Sequence, residues 1–190
     1  MLESIRSLDY YILGLFHSLA LSHGNIFNPI AKLFHYIGSP LTCAPAIICL
    51  ILFVVSRKKR WLIIFVAMCC SSVISQLLIK RLVGRIRPFN SEVITDFKDW
   101  WIAAGSINET GNSFPSGHSA SSMGFAVSMF ITSKKRKISW LGFVYAFIMA
   151  CSRCYAIVHY PSDVIVGLTV GAIVGYMIVV LFKRYDKATE

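Results

Sequence analysis

The stretch "ISWLGFVYAFIMACSRCYAIVHYPSDVIVGLTVGAIVGYMIVVLF" runs from Ile138 to Phe182, and its reading decides the fold. Two apolar runs, each approaching the roughly 20 residues a helix needs to cross a bilayer core, flank a short polar centre, "SRCYAIVHYPSD" (Ser152–Asp163). An arginine, a histidine and an aspartate this close together are costly in hydrocarbon. They belong at a membrane surface or in a protected site, and the rest of the chain has to say which.

Working outward, 56% of the 190 residues are hydrophobic, against about 45–50% in soluble domains, and the mean hydropathy is +0.64. The excess falls in blocks separated by short polar stretches. We read six apolar segments, Leu8–Leu21, Leu41–Val55, Trp61–Ile79, Ser116–Thr132, Ile138–Ala156 and Ser162–Phe182. The pattern predicts an all-α, polytopic membrane helix bundle of about six transmembrane helices, with residues 1–190 as a single integral-membrane domain. A soluble all-α protein with buried helices is the alternative. The first segment is short and carries His17, so it either crosses or lies in the interface. The N-terminus "MLESIRSLDYY" carries Glu3 and Asp9 with no small-residue cleavage site behind it, which argues against a removed signal peptide. Six cysteines border or enter apolar runs and read as small buried hydrophobes; the "CSRC" spacing lacks a second ligand pair for zinc.

The net charge of +10 would point to nucleic acid in a soluble protein; in a membrane protein its placement matters instead, and no nucleic-acid partner is expected. Basic clusters at 57–60 ("RKKR"), at 134–137 ("KKRK") and at Lys183, Arg184 and Lys187 are each separated by two segments. They therefore share one face, cytoplasmic by the positive-inside rule. The connections 80–115 and 153–162 lie on the other face and carry Lys80, Arg81, Arg85, Arg87, Lys98 and Arg153. Basic residues there read either as snorkelling anchors or as an anion site.

Three stretches carry chemistry. In "KRLVGRIRP" (Lys80–Pro88) the two cations Lys80 and Arg87 are seven apart and would share a face if they stood on one helix; they read as a snorkelling pair or as two sides of an anion site. In "FPSGHSASS" (Phe114–Ser122) Pro115 and Ser116 predict a helix start with Ser116 as N-cap. Such an N-terminus binds phosphate readily, Gly117 would let the anion approach, and His118 would stand beside it. In "SRCYAIVHYPSD" Arg153 offers a fork for phosphate oxygens, and Asp163, four residues past His159, could hold the histidine's other ring nitrogen. Pro161 predicts the start of the last helix, with His159 just before it. A plain His–Asp pair at a membrane surface is the bland alternative for this third stretch. All three stretches fall on one face. Together they can neutralise, cradle, attack and protonate in a phosphoryl transfer.

These stretches resemble the three motifs of the type 2 phosphatidic acid phosphatase superfamily, K-x6-RP, PSGH and SR-x5-H-x3-D, which here read Lys80–Pro88, Pro115–His118 and Ser152–Asp163. The resemblance implies the phosphatase core of that superfamily and a phosphohistidine route. His159 would be the nucleophile, Asp163 would orient it, and His118 would be the general acid. Lys80, Arg87, Ser116, Gly117 and Arg153 would bind the phosphate. No metal or other cofactor is implied. Glu92, Asp96, Asp99 and Glu109 show no ligand-like spacing in the sequence and read as a solvated rim.

The resemblance further implies a membrane lipid phosphate as substrate and the bilayer as partner, with the site on the extracytoplasmic face of the cell membrane. The small size and six-segment plan resemble bacterial members that dephosphorylate lipids at the outer leaflet, with undecaprenyl diphosphate as the leading substrate; phosphatidylglycerophosphate, phosphatidic acid and a lipid A phosphate are the alternatives. A lipid phosphotransferase or an anion transporter are more remote readings. Specificity is expected in the groove between spans and in the 89–114 connection, where Trp100 and Trp101 read as interface anchors.

Overall fold

A computed structural model describes residues 2–38 and 43–188, and every element among them is helical. The helices are α1 (Leu2–Ser22), α2 (Asn28–Gly38), α3 (Ala44–Ser56), α4 (Lys59–Val73), α5 (Lys80–Val83), α6 (Asp96–Ala103), α7 (Gly117–Thr132), α8 (Arg136–Tyr155) and α9 (Pro161–Ala188). A π-helical stretch, Ile74–Ile79, joins α4 to α5. Each expected apolar segment has its helix, although the start of the second, at Leu41, lies outside the described residues.

Among the described residues three stretches are long and apolar enough to cross a membrane: Lys59–Asn90, Arg136–Tyr155 and Pro161–Tyr185. The expected count of six is not reached by this measure. α3 has only 13 residues, α7 has 16 and is rich in serine, and α1 carries Glu3, Arg6, Asp9 and His17. α2 and α6 were not anticipated as helices. They fill the connections on the side of the bundle where the polar motifs gather.

The interior reverses the soluble pattern. Serines 71, 75, 116, 119, 122, 128 and 139 are buried together with small alanines, while Val55, Leu82, Trp140, Phe147 and Ile165 point outward. Lipid solvates large apolar side chains as well as a protein core does, so close packing of small residues, rather than hydrophobic burial, holds such helices together. The α7–α9 contact shows this best. Gly167, Gly171 and Gly175 recur every four residues on one face of α9, against Ser116, Ala120 and Gly124 on α7; a Cβ on any of the three would overlap a backbone carbonyl of that row. α9 thereby lies directly on α7, and Ser116 N–H donates to the Asp163 carbonyl at 3.0 Å. That bond ties the second motif to the third.

The two ends of the bundle differ. Lys58, Arg60, Lys134 and Lys135 line one cavity at the α3–α4 and α7–α8 turns, so the first two basic clusters share an end. The three motifs collect at the opposite end, where α5 stops, α7 begins, and α8 hands over to α9.

Candidate active site

Lys80 and Arg87 do not stand on one helix, so the shared face that a single helix would give them does not form. Gly84 adopts φ 66 at the end of α5, with its N–H bonded back to the Lys80 carbonyl at 3.3 Å, a left-handed helix stop that glycine adopts at no steric cost. Pro88 then keeps Arg87 extended (φ −70, ψ 152). The chain turns inward, and Arg87 is 1% exposed. Its guanidinium is nested in backbone carbonyls: Nε donates to Gly111 O at 3.0 Å, and the terminal nitrogens donate to Thr110 O and Val158 O, each at 2.9 Å. Lys80 donates to Gln76 Oε1 at 2.8 Å. The Gln76 amide lies where a Cβ on residue 117 would be, so here the lack of a side chain at Gly117 makes room for glutamine.

The Ser116 N-cap forms as expected. Its hydroxyl oxygen accepts from Ser119 N–H at 3.4 Å and from the Ser119 hydroxyl at 3.0 Å. His118, one residue into α7, is buried, with Nε2 3.4 Å from the His35 carbonyl and its ring stacked on the His35 ring at 5.8 Å between centroids. Gly38 permits that approach, since a Cβ there would stand 2.6 Å from His118 Cδ2. Arg153, in the last turn of α8, is fully buried; it donates to Ser152 Oγ at 3.2 Å and to Ala31 O at 3.3 Å, and lies 3.3 Å from His35 Nδ1.

His159 precedes α9, as its position before Pro161 predicts. Arg87 stands 3.3 Å from its Nε2 and Asp163 Oδ2 stands 3.7 Å from its Nδ1. A guanidinium only donates, so Nε2 presents its lone pair and the ring proton sits on Nδ1, facing Asp163. Burial, with Arg87 adding to it against the pull of Asp163, lowers the His159 pKa to about 4, which leaves a neutral imidazole at neutral pH. Asp163 is heavily engaged. It accepts from Tyr160 N–H at 2.9 Å, closing the N-terminus of α9 as the acidic half of a capping box. The Ser113 hydroxyl and Arg85 (2.6 Å) also donate to it.

The sequence reading missed three residues. Arg85 links Asp163 to buried Asp9 of α1 (2.8 Å) and rests on the Tyr160 ring at 3.8 Å. His35, from the unanticipated α2, stacks on His118. Glu109 is not part of a solvated rim. Its Oε1 is 3.2 Å from His35 Nδ1, 3.5 Å from Arg153 and 3.7 Å from His118 Nδ1, and its Oε2 is 3.4 Å from Arg87. Burial alone would raise the pKa of this carboxyl, but His35, His118 and Arg87 outweigh it and hold the group well below the usual carboxylate range. Glu92, Asp96 and Asp99 are exposed, as a rim requires. The one available signal for Glu109 was its place nine residues before His118; nothing in local spacing marked His35. Trp100 and Trp101 are half-buried: Trp100 stacks on His17 and Trp101 on Phe89, and Trp101 Nε1 donates to Ile107 O at 2.9 Å.

His35, Glu109 and His118 also bring three potential metal-ligating atoms within 4.8 Å of one another. Two guanidiniums stand 3.4 and 3.5 Å from that same carboxylate, and their charge opposes a cation there. The pocket's chemistry suits an anion: buried donors from four parts of the chain converge, with a neutral imidazole lone pair at one side and a second imidazole at the other.

The chain is 32% identical over 99 residues to a lipid A 4'-phosphatase of Bacteroides thetaiotaomicron, a match over 52% of this chain and 43% of that one. It is 31% identical over 143 residues to an undecaprenyl-diphosphatase of Sulfolobus acidocaldarius, over 75% of this chain and 62% of that one. The chain thus spans less than half the length of the Bacteroides relative. Among solved structures, LpxE of Aquifex aeolicus superposes with a TM-score of 0.63 at 26% identity, covering 88% of this chain and 93% of that one. A transmembrane PAP2-type phosphatidylglycerolphosphate phosphatase of Bacillus subtilis shares the fold, with a TM-score of 0.63 at 18% identity over 98% of this chain and 96% of that one. The PAP2 superfamily model matches residues 60–187, a stretch that takes in all three motifs, and this membrane protein belongs to that superfamily.

Proposed function

We propose that the protein is a lipid-phosphate phosphatase whose substrate is a polyprenyl diphosphate of the undecaprenyl class, cleaved to the monophosphate. The observation that carries the reading is the convergence of buried Arg87, Arg153 and His118 on one carboxylate, Glu109, with His159 Nε2 3.3 Å from Arg87. The His159 Nε2 lone pair attacks the terminal phosphorus while the bond from phosphorus to the bridging oxygen breaks. His118 gives a proton to that departing oxygen, and Arg87 and Arg153 take the charge spread over the remaining phosphoryl oxygens. Water, giving its proton back to His118, then breaks the N–P bond of the phosphohistidine and releases inorganic phosphate. Lys80, Ser116 and Gly117 complete the anion cradle in this scheme.

In this scheme the lipid chain lies beside Arg153. An apolar groove of about 150 Å³, lined by Phe16, Leu19, Phe27, Ile30, Ile148 and Cys151 among others, also includes Ala31 and Ser152. Those two residues touch the Arg153 guanidinium, so an apolar tail in the groove ends beside the phosphate donors. The undecaprenyl-diphosphatase match, the broader of the two sequence matches described, supports the diphosphate headgroup; the lipid A phosphatase match makes a lipid A phosphate the second reading. The basic clusters at the far end of the bundle support an extracytoplasmic site.

The test is a side-by-side measurement of kcat/KM in detergent with EDTA present, using undecaprenyl diphosphate, a lipid A phosphate, phosphatidylglycerophosphate and phosphatidic acid. Undecaprenyl diphosphate is expected to lead. A higher value for a monophosphate lipid would overturn the substrate assignment, and full activity in His159→Ala would overturn the mechanism.

A further inference from the structure

The anion pocket already holds an anion of the protein's own. Glu109 lies against His35, Arg87, His118 and Arg153 at 3.2–3.7 Å. Charge-assisted N–H···O bonds close to about 2.7–2.9 Å, so every one of these contacts is long, and buried Oε1 has no hydrogen-bond partner. The carboxylate thus meets all four groups without closing fully on any of them. A tetrahedral phosphoryl group, with oxygens in three outward directions, suits them better.

Three of these groups also have partners besides Glu109. Arg87 is held by the carbonyls of residues 110, 111 and 158. Arg153 is held by Ala31 and Ser152, and His118 by its stack on His35. Glu109 itself comes from the irregular connection ahead of α7, between exposed Asn108 and Thr110 and two residues before Gly111, whose φ is 70. Its side chain can therefore leave while the rest of the pocket stays assembled.

We propose that Glu109 is a displaceable internal counter-ion of the phosphoryl site: it competes with the substrate's phosphate for the same four donors, swings aside when that phosphate enters, and on returning drives inorganic phosphate out. Four converging cationic or imidazole groups would otherwise retain the phosphate product, so the carboxylate keeps product inhibition weak. The inference rests on the lipid-phosphatase reading above and adds a residue to its catalytic cycle.

The probe is inorganic phosphate, titrated calorimetrically and as an inhibitor of lipid hydrolysis, with wild type, Glu109→Gln and Glu109→Asp in detergent and EDTA. Glu109→Gln is expected to bind phosphate at least tenfold more tightly than wild type, with the shorter aspartate intermediate. Unchanged or weaker binding in Glu109→Gln would overturn the inference and make Glu109 a positioning partner of His35 and His118. Should Glu109→Gln fail to elute as a folded species, Glu109→Asp decides by the same criterion. Wild-type lipid hydrolysis is measured in parallel. Tighter phosphate binding in an enzyme that hydrolyses no lipid phosphate would sink the proposed function and leave the counter-ion standing. Active wild type without tightening would sink the counter-ion alone, and absence of phosphate binding in all three proteins would sink both.

Discussion

Arg85 grips Asp163 at 2.6 Å while His159 stands 3.7 Å from the other oxygen of the same carboxylate. The residue that aims the proposed nucleophile is thus itself aimed, by an arginine outside the three motifs. Through Arg85 the network continues to Asp9, whose carboxylate also accepts from Ser162 N–H at 2.9 Å and from the Ser162 hydroxyl at 2.6 Å. α1 is thereby fastened to the start of α9. Removing Arg85 leaves two buried carboxylates without their cation, a loss of about 3–5 kcal/mol for such a pair. Arg85→Gln is expected to lower the melting temperature and to lower kcat more than it raises KM, with Arg85→Lys restoring part of both. Wild-type kcat and melting temperature in Arg85→Gln would refute the positioning role.

The pH profile follows from the buried imidazole. In the proposed mechanism His159 attacks as the neutral form, and its pKa lies at about 4 instead of the ordinary 6.5 or so. The acid limb of kcat/KM should therefore fall through about pH 4; a limb centred near 6.5 would contradict the assignment. The same shift contributes to stability. Because the folded value is the lower one, the unfolded chain binds the extra proton between the two values. This contribution is present above about pH 6.5 and is lost as pH falls through 4, which acid unfolding of wild type and His159→Gln would show.

His118 is assigned the proton that the leaving oxygen needs. His118→Ala should cost about 10²–10⁴ in kcat on a lipid diphosphate. The loss should shrink markedly on p-nitrophenyl phosphate, whose leaving group departs without protonation. An equal loss on both substrates would point to a binding or structural role.

Packing of α9 on α7 can be probed away from the chemistry. Gly171→Val pushes a branched side chain into the Ala120 backbone and should destabilise by about 1–3 kcal/mol. Ile173→Val, on an exposed face of the same helix, should change stability by less than about 0.5 kcal/mol. Equal thermal shifts for the two variants would discount the small-residue contact as the main hold between these helices.

The groove beside Arg153 predicts a chain-length effect. Cys151→Trp should raise KM for undecaprenyl diphosphate about tenfold or more and leave kcat/KM for a short water-soluble phosphate ester unchanged. A parallel loss on both substrates would show that the groove does not carry the lipid chain.

Much of this protein follows from its sequence because the causes are local. Runs of apolar residues become helices in lipid, where the backbone must satisfy its own hydrogen bonds. A Pro-Ser-Gly turn starts α7, and Pro161 starts α9 directly behind His159. Asp163 lies four residues on from that histidine, and the first turn of α9, closed by the Tyr160 N–H to Asp163 bond, brings the pair together. What tertiary structure alone decided depends on distant residues meeting. A glycine stop after Val83 ends the helix between Lys80 and Arg87 and turns Arg87 inward, where the carbonyls of residues 110, 111 and 158 hold it. His35 reaches His118 across 83 residues because Gly38 lets α2 approach. Glu109 reads as one more surface acid in sequence and becomes the counter-ion of the pocket in space, because a carboxylate's role is set by the cations that fold around it.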